Sequence, residues 1–447
     1  MKRILAIIMV VVLMLGSAAH ARQVTGAMLP AAASSARSPS APHFDADMAT
    51  NAYLAQLSPE ATAKSDAYFE GGYWLLLWDL LLALGIAWLL LGIRLSVRVR
   101  DRLECMTRFR WLQTTIYAVQ YLVLTTMFTL PLTFYEGYVR EHQYSLSHQN
   151  VGQWLSDQAT SLLVTLIFGT VFLVMIYAVI RKAKRAWWIW AAGIGVVFVI
   201  FSTTIQPVYV DPLFNTYKSL PDAPLRADIL SMARANGIPV TNVYEYDASR
   251  RSSVISANVS GLFGTTRINL SDNLINRSAP AQIKSVLGHE MGHYVLNHYY
   301  KFILALGVII VTVFALVSWS FGWTLRLWGA RWGIRDAGDI AGMPLLVALL
   351  TLFFFIATPA RNTATRTIET EADIFGLNAA REPDGAAQVY VELSKYRKMR
   401  PSPVEEFIFF DHPSGWNRIH RAMAWKGEHL DDPDIRAQDA TAPLGAR

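Results

Sequence analysis

The 447-residue sequence contains one cysteine, Cys105, so no disulfide can form within the chain. Charged residues are scarce at 17%, well under the roughly one quarter of ordinary soluble domains, which argues against a soluble enzyme. Glycine and proline are few, 27 and 19, beside 12% aromatic residues, and this excludes collagen-like and disordered chains. Heptads and internal repeats are missing, so neither a coiled coil nor a solenoid is expected. Gly193-Ile-Gly195 lacks the third glycine of a dinucleotide fingerprint. What is abundant is apolar: 53% of the side chains, with a positive mean hydropathy. The net charge of +6 does not imply a nucleic-acid partner, because many basic residues sit in short loops between apolar runs, where they set membrane topology.

Residues 1–21 combine Lys2 and Arg3, an apolar stretch from Ile4 to Leu15 and the small-residue pattern Ala19-His20-Ala21, which reads as a secretory signal peptide or a retained N-terminal anchor. Residues 22–71 read as an exposed linker with a helical approach to the membrane. Six apolar stretches long enough to cross a bilayer follow, near 73–93, 111–138, 160–180, 187–208, 302–328 and 340–360. They divide the chain into four transmembrane helices over 72–208, a soluble segment over 209–301, two more helices over 302–360, a second soluble segment over 361–425 and a tail over 426–447. Residues 94–110 carry six Arg, 181–185 two Arg and two Lys, and 326–335 three Arg, all in loops on one side. By the positive-inside rule that side is the cytoplasm, and the soluble segments lie across the membrane, in the periplasm of a Gram-negative cell. Amphipathic spacing predicts a helix over 224–237, then short strands near 240–246, 253–259 and 266–270, ahead of a helix beginning near Ala279. The expected fold class is mainly α: a polytopic transmembrane helical bundle, with a small α+β domain split around the last two spans.

That last helix carries the chemistry. In Gly288-His289-Glu290-Met291-Gly292-His293 the two histidines stand one helical turn apart and can reach one zinc ion. Glu290, rotated by about 100° around the helix, is off that face and free to act as a general base toward water. A catalytic metal keeps an open position, so one more protein ligand is required. Glu369, in Thr367-Ile368-Glu369-Thr370-Glu371-Ala372-Asp373, is the candidate; Asp373, four residues on and on the same face, can accept a hydrogen bond from a ligating imidazole. Glu371 points elsewhere, toward solvent. His298 is off the ligand face and is expected to support packing or a hydrogen bond.

These residues resemble the M48 family of zinc metallopeptidases, specifically its Ste24-type integral membrane CAAX prenyl endopeptidases. The resemblance runs in order through Pro212-Leu213-Phe214-Asn215, Asp247 to Ser253 with Ala257-Asn258, Arg267 to Asp272, Gly288 to His293, Glu369 with Asp373, and His412-Pro413 with Arg418, about residues 70–425. It implies a helical barrel enclosing a water-filled chamber capped by the zinc domain. It also implies one Zn2+ on His289, His293 and Glu369, Glu290 as base, Asn258 on an edge strand that holds the substrate backbone, and His412 and Arg418 near the oxyanion. The implied partners are a peptide or membrane-protein substrate and the lipid bilayer, while the signal segment and the loop charges point to a bacterial inner membrane. Eukaryotic relatives have seven spans and present the site to the cytosol, so a cytoplasmic catalytic face is the alternative that the resemblance raises. A signal peptide suggests a bacterium, where prenylated substrates are not expected, and general membrane-protein quality control is the alternative activity. A transporter or scaffold holding zinc structurally would instead show four protein ligands.

Overall fold

The computed structural model describes residues 44–260 and 266–441. The expected signal segment, 1–21, lies outside the described residues. In chain order the helices are α1 (Ala46–Leu54), α2 (Pro59–Gly92), α3 (Leu95–Met106), α4 (Arg110–Phe134), α5 (Val151–Ala183) and α6 (Trp187–Ile205). The soluble segment then forms β1 (Tyr217–Ser219), α7 (Pro224–Ala235), β2 (Val243–Tyr246), β3 (Ala257–Ser260), β4 (Arg267–Ser271), α8 (Asp272–Arg277) and α9 (Pro280–Val295). After α10 (His298–Trp332) and α11 (Met343–Ile356) come α12 (Thr358–Ala380), α13 (Pro383–Leu393), α14 (Pro403–Phe409), α15 (Gly415–Glu428) and α16 (Pro433–Thr441).

Among the described residues, five helices are long and apolar enough to cross a membrane: Pro59–Gly92, Arg110–Gln143, Val151–Ala183, Trp187–Leu213 and His298–Trp332. A sixth span arises if α11, with the turn before it, and α12 count as one, since they meet at a 50° bend. Tyr177, Phe321, Ile176 and Val317 fill the interior between these helices. Trp88 and Leu304 point outward, more than two-thirds exposed, as side chains facing lipid must. The three basic loops meet at one end of the bundle. Arg100 hydrogen-bonds the Gly333 carbonyl at 3.1 Å and pairs with Asp339, Arg181 reaches the Gly338 carbonyl at 3.0 Å, and Arg335 grips Glu104 at 2.6 Å.

Two segments depart from expectation. Within the expected linker, α1 is a packed helix: Asp45 caps it, and Phe44, Tyr53 and Leu54 join a core with Ile419, Met423 and Trp425 of α15. Its composition shows no sustained periodicity, so hydropathy alone does not reveal the docking. The expected helical approach to the membrane is the first half of the first long helix, which begins at Pro59, where Ser58 caps it, and runs on into the apolar stretch expected from Tyr73. The expected tail is likewise part of the domain, for Ile435 is fully buried and Arg381 holds Asp432 and Asp434 at 2.5 Å each.

The sheet has the order β1-β2-β4-β3, with β2 and β4 parallel and the outer pairs antiparallel. Ile268, Leu270, Leu274, Leu287 and Met291 are fully buried beneath it and glue α9 to the sheet. On its free side β3 has no strand partner among the described residues.

Candidate metal centre

Helix α9 starts on Pro280, where the missing N–H is harmless, and Gln282 Oε1 accepts the Ala279 N–H at 2.6 Å. It crosses α12 through glycine. A Cβ on Gly376 would stand 2.8 Å from the His289 backbone nitrogen, and one on Gly288 would stand 2.9 Å from the Gly376 carbonyl oxygen. Only glycine permits this approach, and the approach brings the His289–His293 face against Glu369, two spans further along the chain.

His289 Nε2 lies 3.1 Å from His293 Nε2 and 3.2 Å from Glu369 Oε2, and His293 Nε2 lies 3.6 Å from Glu369 Oε1. All three ligand atoms fall within 4.8 Å of one another. Ligands held at about 2.0–2.1 Å around a tetrahedral ion stand roughly 3.3 Å apart, a spacing that these three residues fit. Glu369 Oε2 is moreover buried with only the imidazoles of His289 and His412 near it, at 3.2 Å and 3.3 Å, an acceptor that a cation would satisfy.

Each histidine is oriented from behind. His289 Nδ1 lies 2.9 Å from Asp373 Oδ1, which leaves Nε2 for the metal. Asp373 is itself held by Arg418 Nε at 3.0 Å, Arg421 Nη1 at 2.8 Å and the Tyr390 hydroxyl at 3.0 Å. On the other side, His298 Nε2 donates to Glu371 Oε2 at 3.1 Å, while its Nδ1 shares a 3.0 Å hydrogen bond with His293 Nδ1. With the Nε2 proton of His298 directed to Glu371, His293 Nδ1 must donate, and His293 Nε2 keeps its lone pair. His298 reaches back because Asn297, at φ 57°, breaks the helix between α9 and α10. Glu371 is therefore paired, to His298 and Lys301, rather than simply solvated.

Electrostatics concentrate at the same point. Burial opposes a charge on His289, but the hydrogen bonds of Asp373 and Glu369 outweigh it and raise its pKa to about 9. Burial and the neighbouring His289 push His293 down to about 3, the neutral form that ligates. Glu290 faces the adjoining cavity, makes no hydrogen bond to a described residue, and is pushed by burial up to about 7.

That cavity, of about 280 Å3, runs from the Val254–Ala257 segment leading into β3 past Glu290 and His289 to His412 and Arg418. His412 Nε2 lies 3.3 Å from Glu369 Oε2, and its Nδ1 lies 2.8 Å from Asp411. Asn258 sits on the edge strand opposite Asn269, whose Nδ2 donates to its side-chain oxygen at 2.8 Å. Arg418, expected near the oxyanion, instead has its guanidinium bound to Asp373 behind His289, with Nη2 3.4 Å from His289 Nδ1. Tyr390, Asp411 and Arg421 escaped the sequence reading. Arg421 alone left a trace there, three residues after Arg418 and thus on the same helical face.

Two family models match in succession. "CAAX prenyl protease N-terminal, five membrane helices" covers residues 46–216, and "Peptidase family M48" covers residues 219–426. An uncharacterized metalloprotease of Bacillus subtilis is 29% identical over 340 residues, 75% of this chain and 80% of its own. CAAX prenyl protease 1 of Saccharomyces cerevisiae is 25% identical over 314 residues, 66% and 69% of the two chains. The crystal structure of S. mikatae Ste24p superposes with a TM-score of 0.71 at 21% identity, covering 86% of this chain and all of that one.

Proposed function

The chain belongs to peptidase family M48 as a membrane metalloendopeptidase of the Ste24 type, and from that premise we propose which residues do the work, on which metal and on which side of the membrane. His289, His293 and Glu369 hold one zinc ion. When bound there, zinc supplies Lewis acidity, polarising the scissile carbonyl and lowering the pKa of water. Glu290 removes a proton from the attacking water and returns it to the leaving amine nitrogen. The observation that carries this reading is the Glu290 carboxylate, without a hydrogen bond to any described residue, next in sequence to a histidine of the proposed ligand set yet turned into the cavity.

The substrate lies extended along β3, whose free edge offers backbone hydrogen bonds, with Asn258 at that edge. His412, beside Glu369 and lining the cavity, donates to the oxygen that gains charge as the carbonyl is attacked. Asp373, Arg418 and Arg421 are positioning residues that fix the His289 ring. The three basic loops lie in the cytoplasm of a bacterial inner membrane, which puts the catalytic face outside.

The test is cleavage of a panel of prenylated and unprenylated peptides by the purified protein and by Glu290→Gln. We expect the variant to retain its metal and lose cleavage. Preference within the panel separates C-terminal processing from general proteolysis, and equal activity of the two proteins would overturn the role of Glu290.

A further inference from the structure

The catalytic cavity contains a cation that the chemistry above does not use. Arg397 lines it with Tyr396, His412 and Arg418. Its position is fixed from outside: the buried Ser65 hydroxyl of α2 donates to the Arg397 carbonyl at 3.1 Å. The adjacent Lys398 pairs with Glu70 at 2.5 Å and Glu405 at 2.9 Å. The guanidinium itself makes no hydrogen bond or ion pair with a described residue. Asp411 opposes its charge only through space, being bound to His412 at 2.8 Å, while burial and the Arg418 cation both disfavour that charge. The contrast with Arg418 is sharp, for that guanidinium is matched by Asp373.

Beside it the Tyr396 hydroxyl is buried and finds no hydrogen-bond partner at good geometry, the backbone near it being that of Ile255. A partly buried guanidinium that lines the cavity and has no hydrogen-bonding or ion partner among the described residues is open to an anion that enters there. Its planar set of N–H donors fits a carboxylate, and a neighbouring hydroxyl adds one more donor on the same wall.

We propose that Arg397, with the Tyr396 hydroxyl, forms a specificity-determining subsite that binds a substrate carboxylate, either the chain terminus or an Asp or Glu side chain near the scissile bond. The anion lies near that bond because one cavity holds Arg397 and Glu290 together. The proposal rests on the endopeptidase reading of this cavity and deepens it by naming what the substrate must carry. Arg397 is a binding residue here and takes no part in proton transfer.

The experiment compares matched peptides on the full-length protein in lipid nanodiscs: free acid against C-terminal amide, and Asp or Glu against Asn or Gln near the cleavage point. The wild type is expected to cleave the favoured carboxylate peptide with kcat/KM at least about tenfold above its neutral partner, mostly through KM, as charge-assisted hydrogen bonds allow. The arm showing the preference identifies terminus or side chain. Arg397→Gln should bring the kcat/KM ratio of carboxylate to neutral peptide down to about one, Arg397→Lys should restore part of that ratio, and Tyr396→Phe should lower it in the same direction. Peptide binding to Glu290→Gln gives a readout independent of turnover: if that variant binds carboxylate and neutral peptides equally, the subsite is refuted even where no cleavage is seen. Equal wild-type cleavage of the matched pairs would also refute it. A protein that binds carboxylate peptides selectively but never cleaves would overturn the catalytic reading and leave the subsite standing.

Discussion

At the residue scale the site divides into groups that bind charge and groups that move a proton, and substitutions separate the two. Glu290→Gln keeps the shape of the cavity but removes the base, so kcat should fall by about 10²–10⁴ with zinc content unchanged, as metal analysis beside turnover would show. Glu290 acts in its ionised form, and burial holds its carboxyl up to about 7. Activity should therefore fall as pH drops, with an acid limb at or below about pH 7, since a divalent cation beside Glu290 can only lower that value. A kcat/KM profile rising toward acid pH would contradict this. Asp373→Asn removes the carboxylate charge and one of the two acceptor oxygens shared by His289, Arg418 and Arg421, and zinc affinity should weaken about 10–100-fold in competition with a chelator. The proposed ligands His289 and His293, and the separation of Glu290 from them, come from the sequence because helical spacing alone sorts the two histidines from Glu290. Tyr390 and Tyr396 do not, since they reach the site only through the packing of α13 and the turn after it.

At the element scale the centre depends on how closely α9 and α12 approach. Gly376→Ala places a methyl against the His289 backbone, so the helices must part by a few tenths of an ångström or more. The expected cost is about 1–3 kcal/mol, with reduced zinc occupancy, readable from thermal melts with and without added metal. A fully metallated Gly376→Ala protein with unchanged melting would show that the crossing does not set the site. β2, β3, β4 and α9 were visible as alternation and amphipathic spacing, to within a few residues of their ends, whereas the three-residue β1 was not. The length of α2 was not, because its first half is held by contacts from Ser65 and Glu70 to residues 397 and 398 rather than by its own hydropathy. The bend between α11 and α12 likewise has no signature in the apolar run, which stops near the bend while the helix continues to Ala380.

At the scale of the whole molecule, three basic loops gather at one end and the metal centre lies at the other, with two spans between its ligand-bearing segments. Cys105, the sole cysteine, is exposed on α3 at the basic end and so reports topology without any substitution. If that end is cytoplasmic, a membrane-impermeant maleimide should leave Cys105 unlabelled in intact spheroplasts and label it after lysis; labelling before lysis would invert the orientation. Charge bias in the loops made this arrangement readable, whereas the docking of α1 and α16 on the catalytic domain depends on tertiary contacts that no local pattern announces. The central claim is that residues from two distant segments build one catalytic zinc centre. The most direct test is zinc per chain, measured with peptidase activity on the same samples of wild type, Glu290→Gln and Glu369→Gln. The account predicts one zinc in the first two, activity only in the first, and depleted metal with no activity in Glu369→Gln; a full equivalent of zinc and undiminished cleavage in Glu369→Gln would contradict it.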